Sequence, residues 1–521
     1  KALEVDGVEC IAFADHIPGV NNVGSILSDE PLLAGDEVLA VGQTVAVVYG
    51  RTYEACRQAL VLIEVEYEEL PAILSVDEAI AANSIHGEVH VIERGEVQLE
   101  LNDSKHNLQG DFSCGAQEHF YLETHAALAI PGEDKTVEVF SSTQHPSGAQ
   151  KLIAAQLGWR RNQVVVQSPR MGGAFGGKES QGAMFASYAA LGAYLTGRPV
   201  KCWMDRDTDM RVSGRRHPAQ AKWKVGFDDD GLIKAFVVDL YYDAGFAADL
   251  SLSILDRGLF HLDNAYWLPN ARLSGWAMRT NMVSNTAFRG FGGPQGMALV
   301  EGVIEHIADR LGKSPLEVRK ANFYNDEGCF APYGQKIEDF RLHRMVAQLE
   351  ESSQLEVRRA AIEEFNGKNK WCKRGIALSP VKFGISFTAS FLNQAGAYVV
   401  LYSDGTVQLN HGGTEMGQGL YTKMVQVCAH TLGIDQSVIR PMSTSTDKVP
   451  NTSPTAASSG ADLNGAAIKE ACNILVERLR PVAAELLGVN ADQVELAAGS
   501  FDEHEGWACA DGRSVSFEKV C

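Results

Sequence analysis

The sequence predicts an α+β protein of several domains, and three observations support this. The chain has 521 residues, which exceeds what one ordinary hydrophobic core accommodates, so about two to four domains are expected. Hydrophobic residues make up 45% of the chain and charged residues 21%, as is typical of a globular protein. Strand-like and helix-like stretches occur along the whole chain, and no short-period repeat is present.

The first part of the chain predicts a small α+β unit that ends near residue 80. Residues 37–50 read as strand, glycine-containing turn and strand, and residues 51–60 read as a helix. Residues 61–67, with the sequence VLIEVEY, return to a strand pattern. The polar stretch 81–110 is predicted to be a connector.

From residue 111 onwards glycine and short strands become more frequent. Asp230-Gly231 and Asp404-Gly405 each lie between alternating segments, which indicates two β-hairpins. The helix signals are apolar spacing, capping residues and terminal glycines. The predicted helices are 183–196 closed by Gly197, 300–311 closed by Gly312, one with a capping box at Ser314–Glu317, a polar helical stretch at 341–368, and, after strands at 397–410, helices at 420–432 and 465–479.

Charge and cysteine usage exclude several classes of partner. The formal net charge of −20 argues against nucleic acid or an anionic membrane as a main partner. No apolar run reaches the roughly 18 residues that cross a bilayer, and we expect no signal peptide. The ten cysteines are dispersed without Cys-x-x-Cys pairs, so no zinc or iron–sulfur framework is expected in this chain. Dispersed thiols predict a cytoplasmic protein.

Three glycine-rich loops are the most informative feature of the chain. The first loop is residues 171–179, the second is 289–296 and the third is 411–419. Glycine allows backbone to approach a ligand closely and exposes N–H groups to it. One such loop is also explained by tight packing, but three predict a large polar ligand that main chain surrounds from several directions.

The first loop also resembles a phosphate-binding P-loop. Gly172 and Gly177-Lys178 have the required spacing and follow an apolar strand at 164–166. However, Glu179 stands where Ser or Thr would bind magnesium, and its carboxylate would repel phosphate. A nucleotide hydrolase is therefore disfavoured, and it leaves the other two loops unexplained.

Five motifs, in order along the chain, resemble the molybdenum-binding portion of the xanthine oxidase family. The resemblance is greatest to the large subunit of the purine-oxidising dehydrogenases in that family, and it covers essentially the whole chain. The motifs are QEHFYLE at 117–123, RMGGAFGGKE at 170–179, NTAFRGFGGPQ at 285–295, KFGISFT at 382–388 and GGTEMGQG at 412–419.

The resemblance implies a fold, a reaction and partners. It implies a hammerhead-like α+β domain at 1–80, followed by two molybdopterin-binding α+β domains at 95–365 and 370–521, the second of which is expected to be incomplete at its C-terminus. The implied reaction is oxidative hydroxylation of hypoxanthine and xanthine to urate, with water as the oxygen source. Electrons would pass through two [2Fe–2S] clusters and FAD on partner chains to NAD, in an expected dimer of heteromers.

The resemblance also implies the residues around a molybdenum–molybdopterin cofactor. Gln144 would lie beside the metal and hydrogen-bond one of its oxygen ligands. The residues that would present backbone N–H groups around the metal are Phe175, Gly176, Arg289, Ala456 and Ala457. Met416, Gly417 and Gln418 would hold the pterin and its phosphate, for which backbone donors are suited because they add no charge.

The substrate residues follow from the same resemblance. Glu179 and Arg257 would orient the purine and take part in catalysis, since an arginine stabilises negative charge that develops on the ring. Phe291 and Phe387 would contact the purine by face and edge, with Thr388 beside them. Taken alone, an arginine after an aspartate in a helix is usually a surface ion pair, and a Lys-Glu pair at a helix start is usually a cap.

The sequence departs from the family pattern in one catalytic element. The family's catalytic base is a glutamate in a Gly-Glu-Pro-Pro-like motif, and this sequence contains no such motif. Two explanations are open: the subunit is split and another chain carries the base, or the chain is a truncated product. In either case we expect that this chain alone does not turn over. Two alternatives remain: a related molybdenum hydroxylase that acts on another N-heterocycle or an aldehyde, and a cofactor-free fragment without catalytic activity.

Overall fold

A short antiparallel strand pair and one helix form the N-terminal unit. The structure is a computed structural model that describes residues 1–325, 329–496 and 507–521. Strand Val8–Ala12 pairs with Val47–Gly50, and Thr52 caps the following helix by accepting a hydrogen bond from the backbone N–H of Ala55. The predicted helix at 51–60 is confirmed. Of the two strands predicted within 37–50, the second is confirmed at Val47–Gly50 and the first is wrong, as is the predicted strand at 61–67.

The elements fall in chain order as follows. The strands are β1 (Val8–Ala12), β2 (Val47–Gly50), β3 (Ile85–Arg94), β4 (His106–Cys114), β5 (Ala126–Pro131), β6 (Val137–Ser141), β7 (Val164–Ser168), β8 (Val200–Trp203), β9 (Ala219–Phe227), β10 (Ile233–Gly245), β11 (Ala271–Arg279), β12 (Ala397–Leu401), β13 (Val407–His411), β14 (Ile439–Pro441), β15 (Thr444–Ser445), β16 (Glu495–Leu496), β17 (Ala508–Ala510) and β18 (Arg513–Val515). The helices are α1 (Tyr53–Leu60), α2 (Val76–Ala81), α3 (Val97–Asp103), α4 (Pro146–Leu157), α5 (Gly182–Thr196), α6 (Arg206–Val212), α7 (Ser251–Leu259), α8 (Gly293–Leu311), α9 (Pro315–Asn322), α10 (Leu342–Ser352), α11 (Leu355–Lys368), α12 (Leu420–Leu432), α13 (Gly460–Leu487) and α14 (Phe517–Val520).

The first large sheet has the strand order β3-β11-β10-β9-β4. Strands β10 and β11 are parallel, and the other neighbours are antiparallel. The stretch 81–110 was predicted to be a connector, and this prediction is wrong because the stretch supplies both edge strands and α3. Its polar residues are explained by position, since edge strands β3 and β4 alternate exposed and partly buried residues and leave one face in water.

The second large sheet joins the two halves of the chain. Its order is β15-β7-β6-β5-β8, and the short strand β15 comes from the C-terminal half. Beyond β15, the backbone N–H of Thr446 donates to the carbonyl of Val166 at 3.1 Å, and the Val166 N–H donates to Thr446 Oγ1 at 3.0 Å. The first glycine loop follows β7, so the C-terminal half supports that loop from its base.

The strongest local signals of the sequence are confirmed. Asp230-Gly231 connects β9 to β10, and Asp404-Gly405 connects β12 to β13, both as antiparallel hairpins. Helices α5 and α8 end at left-handed glycines, and α9 begins with the predicted capping box. The helical stretches at 341–368, 420–432 and 465–479 correspond to α10 with α11, to α12 and to part of the longer α13.

Glycines of the second loop allow helices α7 and α8 to approach each other closely. A Cβ atom on Gly292 would lie 2.1 Å from the carbonyl oxygen of Ile254, and one on Gly296 would lie 2.4 Å from that of Gly258. Both contacts are with the backbone of α7, which also carries Arg257. Part of this glycine pattern therefore serves helix–helix contact and not a ligand.

We predict that Gly296→Ala destabilises the fold, because the new methyl group must displace α7 backbone. Overpacking of this kind costs about 1–3 kcal/mol and lowers the midpoint of thermal unfolding. Gly302→Ala is the matched control in the same helix, since a Cβ there meets nothing within 4 Å. That change is expected to be neutral or to stabilise the helix by up to about 1 kcal/mol. Equal midpoints for the two variants would contradict this account.

Candidate active site

The three glycine loops meet, with the first loop in the middle. The backbone N–H of Arg289 in the second loop donates to the carbonyl of Phe175 at 2.8 Å. The N–H of Met171 donates to the carbonyl of Glu415 in the third loop at 2.9 Å. A Cβ on Gly176 would lie 2.6 Å from the carbonyl oxygen of Ala287, so glycine is required where the first two loops touch. Loops separated widely in sequence thus form one continuous surface.

The side chain of Gln144 links the two halves of this surface. It is 3% exposed, and it follows β6 directly. Its Oε1 accepts the backbone N–H of Gly176 at 2.9 Å, and its Nε2 donates to the carbonyl of Thr455 at 3.0 Å. Its backbone N–H donates to the carbonyl of Lys178 at 2.8 Å, and its backbone carbonyl accepts the N–H of Thr455 at 2.9 Å. The predicted neighbour of the metal therefore joins the first loop to the turn that contains Ala456 and Ala457.

Three predicted site residues adopt backbone conformations that residues other than glycine rarely adopt. Phe175, Phe291 and Ala457 have φ values of 55°, 52° and 55°. The left-handed conformation costs a residue other than glycine about 1–2 kcal/mol, and such strain is concentrated at functional sites. The carbonyl of Ala457 accepts the N–H of Ser386 at 2.8 Å, which brings the segment with Phe387 to the same place.

The third loop is folded around the carboxylate of Glu415. Its Oε1 accepts the N–H groups of Gly417 and Gly419 at 2.9 and 3.1 Å, and its Oε2 accepts that of Tyr421 at 2.9 Å. Burial alone would raise the pKa of this carboxyl, but these donors and Arg170 lower it overall. Glu415 therefore already supplies a negative charge at the start of α12.

The N–H groups predicted to hold the pterin are partly occupied by the protein. Met416 donates its N–H to Oε1 of Gln418 at 2.7 Å, and Gln418 Nε2 donates to the carbonyl of Thr414 at 2.9 Å. In contrast, a Cβ on Gly417 or Gly419 would meet nothing within 4 Å. The loop is thus rigid on its inner side and open beside these two glycines.

Unpaired polar atoms around the third loop fit a ligand rich in heteroatoms. Five side-chain atoms are buried without a hydrogen-bond partner among the described residues: Asn410 Oδ1, His411 Nε2, Thr414 Oγ1, Ser453 Oγ and Asn464 Oδ1. An unsatisfied buried polar group costs about 1–3 kcal/mol, so such atoms normally have a partner. Molybdopterin carries phosphate and many ring heteroatoms, and the residues present therefore fit this cofactor.

Lys178 is unavailable to a phosphate. Its side chain is 0% exposed, and Nζ donates to the carbonyl of Glu123 at 2.7 Å and to Glu123 Oε2 at 3.2 Å. The ammonium group also lies 4.7 Å from the centre of the Tyr121 ring. These contacts support the first loop from beneath, and they remove the remaining basis for a P-loop function.

Glu179 is a buried carboxyl without a cation beside it. It is 6% exposed, and no ion pair or side-chain hydrogen bond involves it within the described ranges. Burial, together with the nearby carboxyl of Asp249, raises the pKa of Glu179 to about 8. Asp249 in turn accepts a hydrogen bond from Thr286 Oγ1. Glu179 is therefore neutral at pH 7 and can donate as well as accept a hydrogen bond, and it is not a helix cap.

Arg257 is a buried guanidinium in the last turn of α7. It is 6% exposed, and it donates from Nη2 to the carbonyl of Ser386 at 2.6 Å and from Nη1 to that of Gly384. Burial lowers its pKa below the usual value for arginine. The preceding Asp256 pairs instead with His90, whose Nδ1 lies 2.5 Å from Asp256 Oδ1. Arg257 is thus not a surface ion pair, because no carboxylate lies within 4.0 Å of it in the described part of the chain.

The predicted aromatic substrate residues, Phe291 and Phe387, are less buried than Glu179 and Arg257. Phe291 is partly buried against the core of the first large sheet. The backbone of Phe387 is fixed by Asn393, which accepts its N–H at 2.9 Å and donates to its carbonyl at 2.8 Å. Thr388 is exposed. No ring contact joins Phe291 to Phe387 among the described residues, so their joint contact with a purine stays a prediction.

Sequence reasoning missed residues that contact the predicted ones. His261 contacts Arg257 and Gly384, and the carboxyl of Asp249 raises the pKa of Glu179. His261 lies two residues beyond the end of α7 and four residues after Arg257, and this short spacing was the available signal. Nothing local to Asp249 indicated its position, because it is separated from Glu179 by a long stretch of chain.

Two kinds of feature are absent from the described residues. No cluster of three or more His, Cys, Asp or Glu side chains there has the arrangement of a metal site. None of the helices in that part of the chain combines the length and apolarity that a bilayer span requires.

Comparison with protein families gives one consistent result along the chain. Residues 1–71 match the model described as aldehyde oxidase and xanthine dehydrogenase, a/b hammerhead domain. Residues 80–323 and 348–521 match two models that are each described as a molybdopterin cofactor-binding domain.

Individual relatives agree with the family models. The chain is 47% identical to xanthine dehydrogenase/oxidase from Gallus gallus over 95% of its own length, and 44% identical to xanthine dehydrogenase from Dictyostelium discoideum over 92%. It spans only 37% and 35% of the lengths of these two relatives.

Solved structures show the same fold. Quinoline 2-oxidoreductase from Pseudomonas putida 86 superimposes with a TM-score of 0.87 at 24% identity, over 100% of this chain and 69% of that one. Aldehyde oxidoreductase from Desulfovibrio gigas superimposes with a TM-score of 0.81 at 27% identity, over 91% of this chain and 54% of that one. The predicted fold class, a hammerhead domain followed by two molybdopterin-binding α+β domains, is thereby confirmed. The chain belongs to the xanthine oxidase family, whose molybdenum-binding region it represents.

Proposed function

We propose that this chain is the molybdenum-binding part of a xanthine dehydrogenase, which hydroxylates hypoxanthine and xanthine to urate with water as the oxygen source. The observation that carries the proposal is the chemistry of Glu179 and Arg257, a neutral buried carboxyl and a buried guanidinium without a carboxylate partner. Relatives named as xanthine dehydrogenases, at 44–47% identity, support the same substrate class.

The two side chains suit a purine because they offer different hydrogen bonds. A guanidinium has five N–H donors, and two of those of Arg257 are used by the carbonyls of Gly384 and Ser386. The remaining donors can bind a purine carbonyl oxygen and stabilise negative charge that develops on the ring. Neutral Glu179 can donate a hydrogen bond to one ring position of the purine and accept a hydrogen bond from another. In a buried site these interactions are strengthened by the low dielectric.

The cofactor is proposed to lie where the three loops meet. When bound, the molybdenum–molybdopterin cofactor supplies the oxidising centre that accepts electrons from the substrate carbon. Gln144 and the backbones of Phe175, Gly176, Arg289, Ala456 and Ala457 would surround the metal end. Met416, Gly417 and Gln418 would hold the pterin end, where Gly417 leaves open space. The unpaired atoms of Thr414 and Ser453 support a polar ligand here.

Further partners are needed to complete turnover. We propose that two [2Fe–2S] clusters and FAD on partner chains carry electrons to NAD, and that a glutamate outside this chain is the base. The assembly would be a dimer of heteromers in the cytoplasm. The curated relatives are more than twice as long as this chain, which leaves room for these functions.

Steady-state rates of the purified native assembly test the substrate class. We expect much higher kcat/KM for xanthine and hypoxanthine than for quinoline or an aldehyde. A preference for quinoline or an aldehyde would instead support a related molybdenum hydroxylase, to which the fold is equally suited.

Replacement of Arg257 tests its role in binding the purine. We predict that Arg257→Met lowers kcat/KM for xanthine by about 100-fold or more, which is the usual cost of losing a donor that stabilises developing charge. Arg257→Lys is expected to recover little, because an ammonium cannot reproduce the guanidinium fork. Arg272→Met, which removes an exposed arginine on β11, is the control and should leave the rate unchanged. A normal rate for Arg257→Met would contradict the assignment.

The pKa of Glu179 predicts a pH dependence of purine binding. The carboxyl is protonated below about pH 8 and ionised above it. Purine KM should therefore rise above pH 8 in the wild type, because the hydrogen-bond donor is lost. In Glu179→Gln the amide is a hydrogen-bond donor at every pH, so we expect the rise of purine KM above pH 8 to disappear. Comparing both enzymes on one substrate cancels the titration of the substrate itself.

The same shift predicts a change in stability that needs no turnover. Because the folded-state pKa is raised from 4.5 to about 8, the folded state binds more protons than the unfolded state between these values. The contribution of Glu179 to the free energy of unfolding is therefore present below about pH 4.5 and lost as pH rises towards 8. Glu179→Gln should make thermal unfolding less sensitive to pH in that window. An unchanged pH dependence would contradict a buried, cation-free Glu179.

A further inference from the structure

A short segment that crosses α7 carries two of the predicted substrate residues. We call residues 380–388 the strap. It is tied to Asn264, whose Nδ2 donates to the carbonyl of Pro380 at 3.0 Å and whose Oδ1 accepts the N–H of Lys382 at 3.1 Å. The side chains of Val381 and Ile385 are exposed. The strap is therefore held in place mainly by hydrogen bonds and by the ion pair of Lys382 with Asp263, with little burial of apolar side chains.

His261 holds the middle of the strap with a fixed proton position. It is 3% exposed, its Nδ1 lies 2.6 Å from the carbonyl oxygen of Arg257, and its Nε2 lies 3.2 Å from the backbone nitrogen of Gly384. The N–H of Gly384 can only donate and the carbonyl of Arg257 can only accept. The imidazole must therefore be neutral with its proton on Nδ1. Burial lowers the pKa of His261 to about 4, which keeps it neutral at physiological pH.

Gly384 is therefore bound from two sides, by Arg257 in the last turn of α7 and by His261 just beyond the end of that helix. His261 binds its N–H, and the Arg257 guanidinium binds its carbonyl and that of Ser386. The ring of Phe383 lies 5.0 Å from that of His261 and adds a tilted aromatic contact. The position of the strap relative to Arg257 is thus set by His261 on the N–H side and by Arg257 on the carbonyl side.

We propose that His261 is a positioning residue for substrate binding. It holds the strap in register with Arg257, so that Arg257, Phe387 and Thr388 meet the substrate as one preorganised unit. This role rests on the proposed function for its substrate, but the contact itself belongs to the chain and is measurable without turnover. His261 contacts no predicted cofactor residue, and it acts through Arg257 and Gly384.

Hydrogen–deuterium exchange of the strap amides and steady-state kinetics test the proposal together. His261→Phe keeps a ring against Phe383 but loses both hydrogen bonds. We expect exchange in peptides covering 380–388 of the 521-residue chain to become about 10-fold faster, since that corresponds to about 1.4 kcal/mol. In the native assembly KM for xanthine should rise by a similar factor, with a smaller change in kcat.

Two further variants make the outcome specific. His261→Gln can still donate to Arg257 or accept from Gly384, and it should recover part of both effects even if the phenylalanine variant folds poorly. His306→Phe is the matched control, because His306 is an exposed residue of α8 whose ring stacks on Trp223 and does not touch the strap. It should leave exchange and KM unchanged.

The possible results separate the two proposals. Unchanged strap exchange and unchanged KM in His261→Phe, with normal wild-type turnover, would overturn the role of His261 alone. Faster exchange in the control variant His306→Phe would also overturn it, since the effect would then be general loosening. A wild-type assembly that does not oxidise purines would contradict the proposed function itself.

Discussion

The interaction on which the rest of the site depends is the double hydrogen bond of the Gln144 amide. Its oxygen fixes Gly176 in the first loop and its nitrogen fixes Thr455 in the second cofactor-binding domain. A buried amide that lost either partner would carry the desolvation cost of an unpaired polar group. The two domains are therefore tied at the place where the metal end of the cofactor is proposed to lie. Strand β15, which completes the sheet under the first loop, makes the same connection from below.

Burial gives the proposed substrate side of the site its chemistry. Glu179 and Arg257 are both almost fully buried, and neither has an oppositely charged partner in the described part of the chain. For the carboxyl, low dielectric favours the neutral acid, whereas the guanidinium keeps its charge and is satisfied by main-chain carbonyls. One group is thus a neutral donor and acceptor and the other a charged donor. His261 and the strap hold the second group in place, so the site is preorganised by hydrogen bonds between distant segments.

Sequence reasoning succeeded where a structure is determined locally. The left-handed glycines after α5 and α8 and the two Asp-Gly hairpins each follow from the residues at hand. It failed for 81–110, because polar residues on the edge strands β3 and β4 read as a connector until their partner strands are known. The glycines of the second loop were assigned to a ligand, but Gly292 and Gly296 are explained by contact with α7. Site residues were named through the family resemblance. The contact of Arg257 with Gly384 and the effect of Asp249 on Glu179 join residues far apart in sequence, so no local pattern reveals them.

The most direct test of the account is the molybdenum and phosphorus content of the purified native assembly, measured with an intact-mass census of its chains. The account predicts stoichiometric molybdenum per copy of this chain, phosphorus from the pterin phosphate, and further polypeptide that supplies the electron-transfer groups and the catalytic glutamate. An assembly without molybdenum and without further polypeptide would contradict it, and Glu179 and Arg257 would then mark only the ancestry of a cofactor-free fragment.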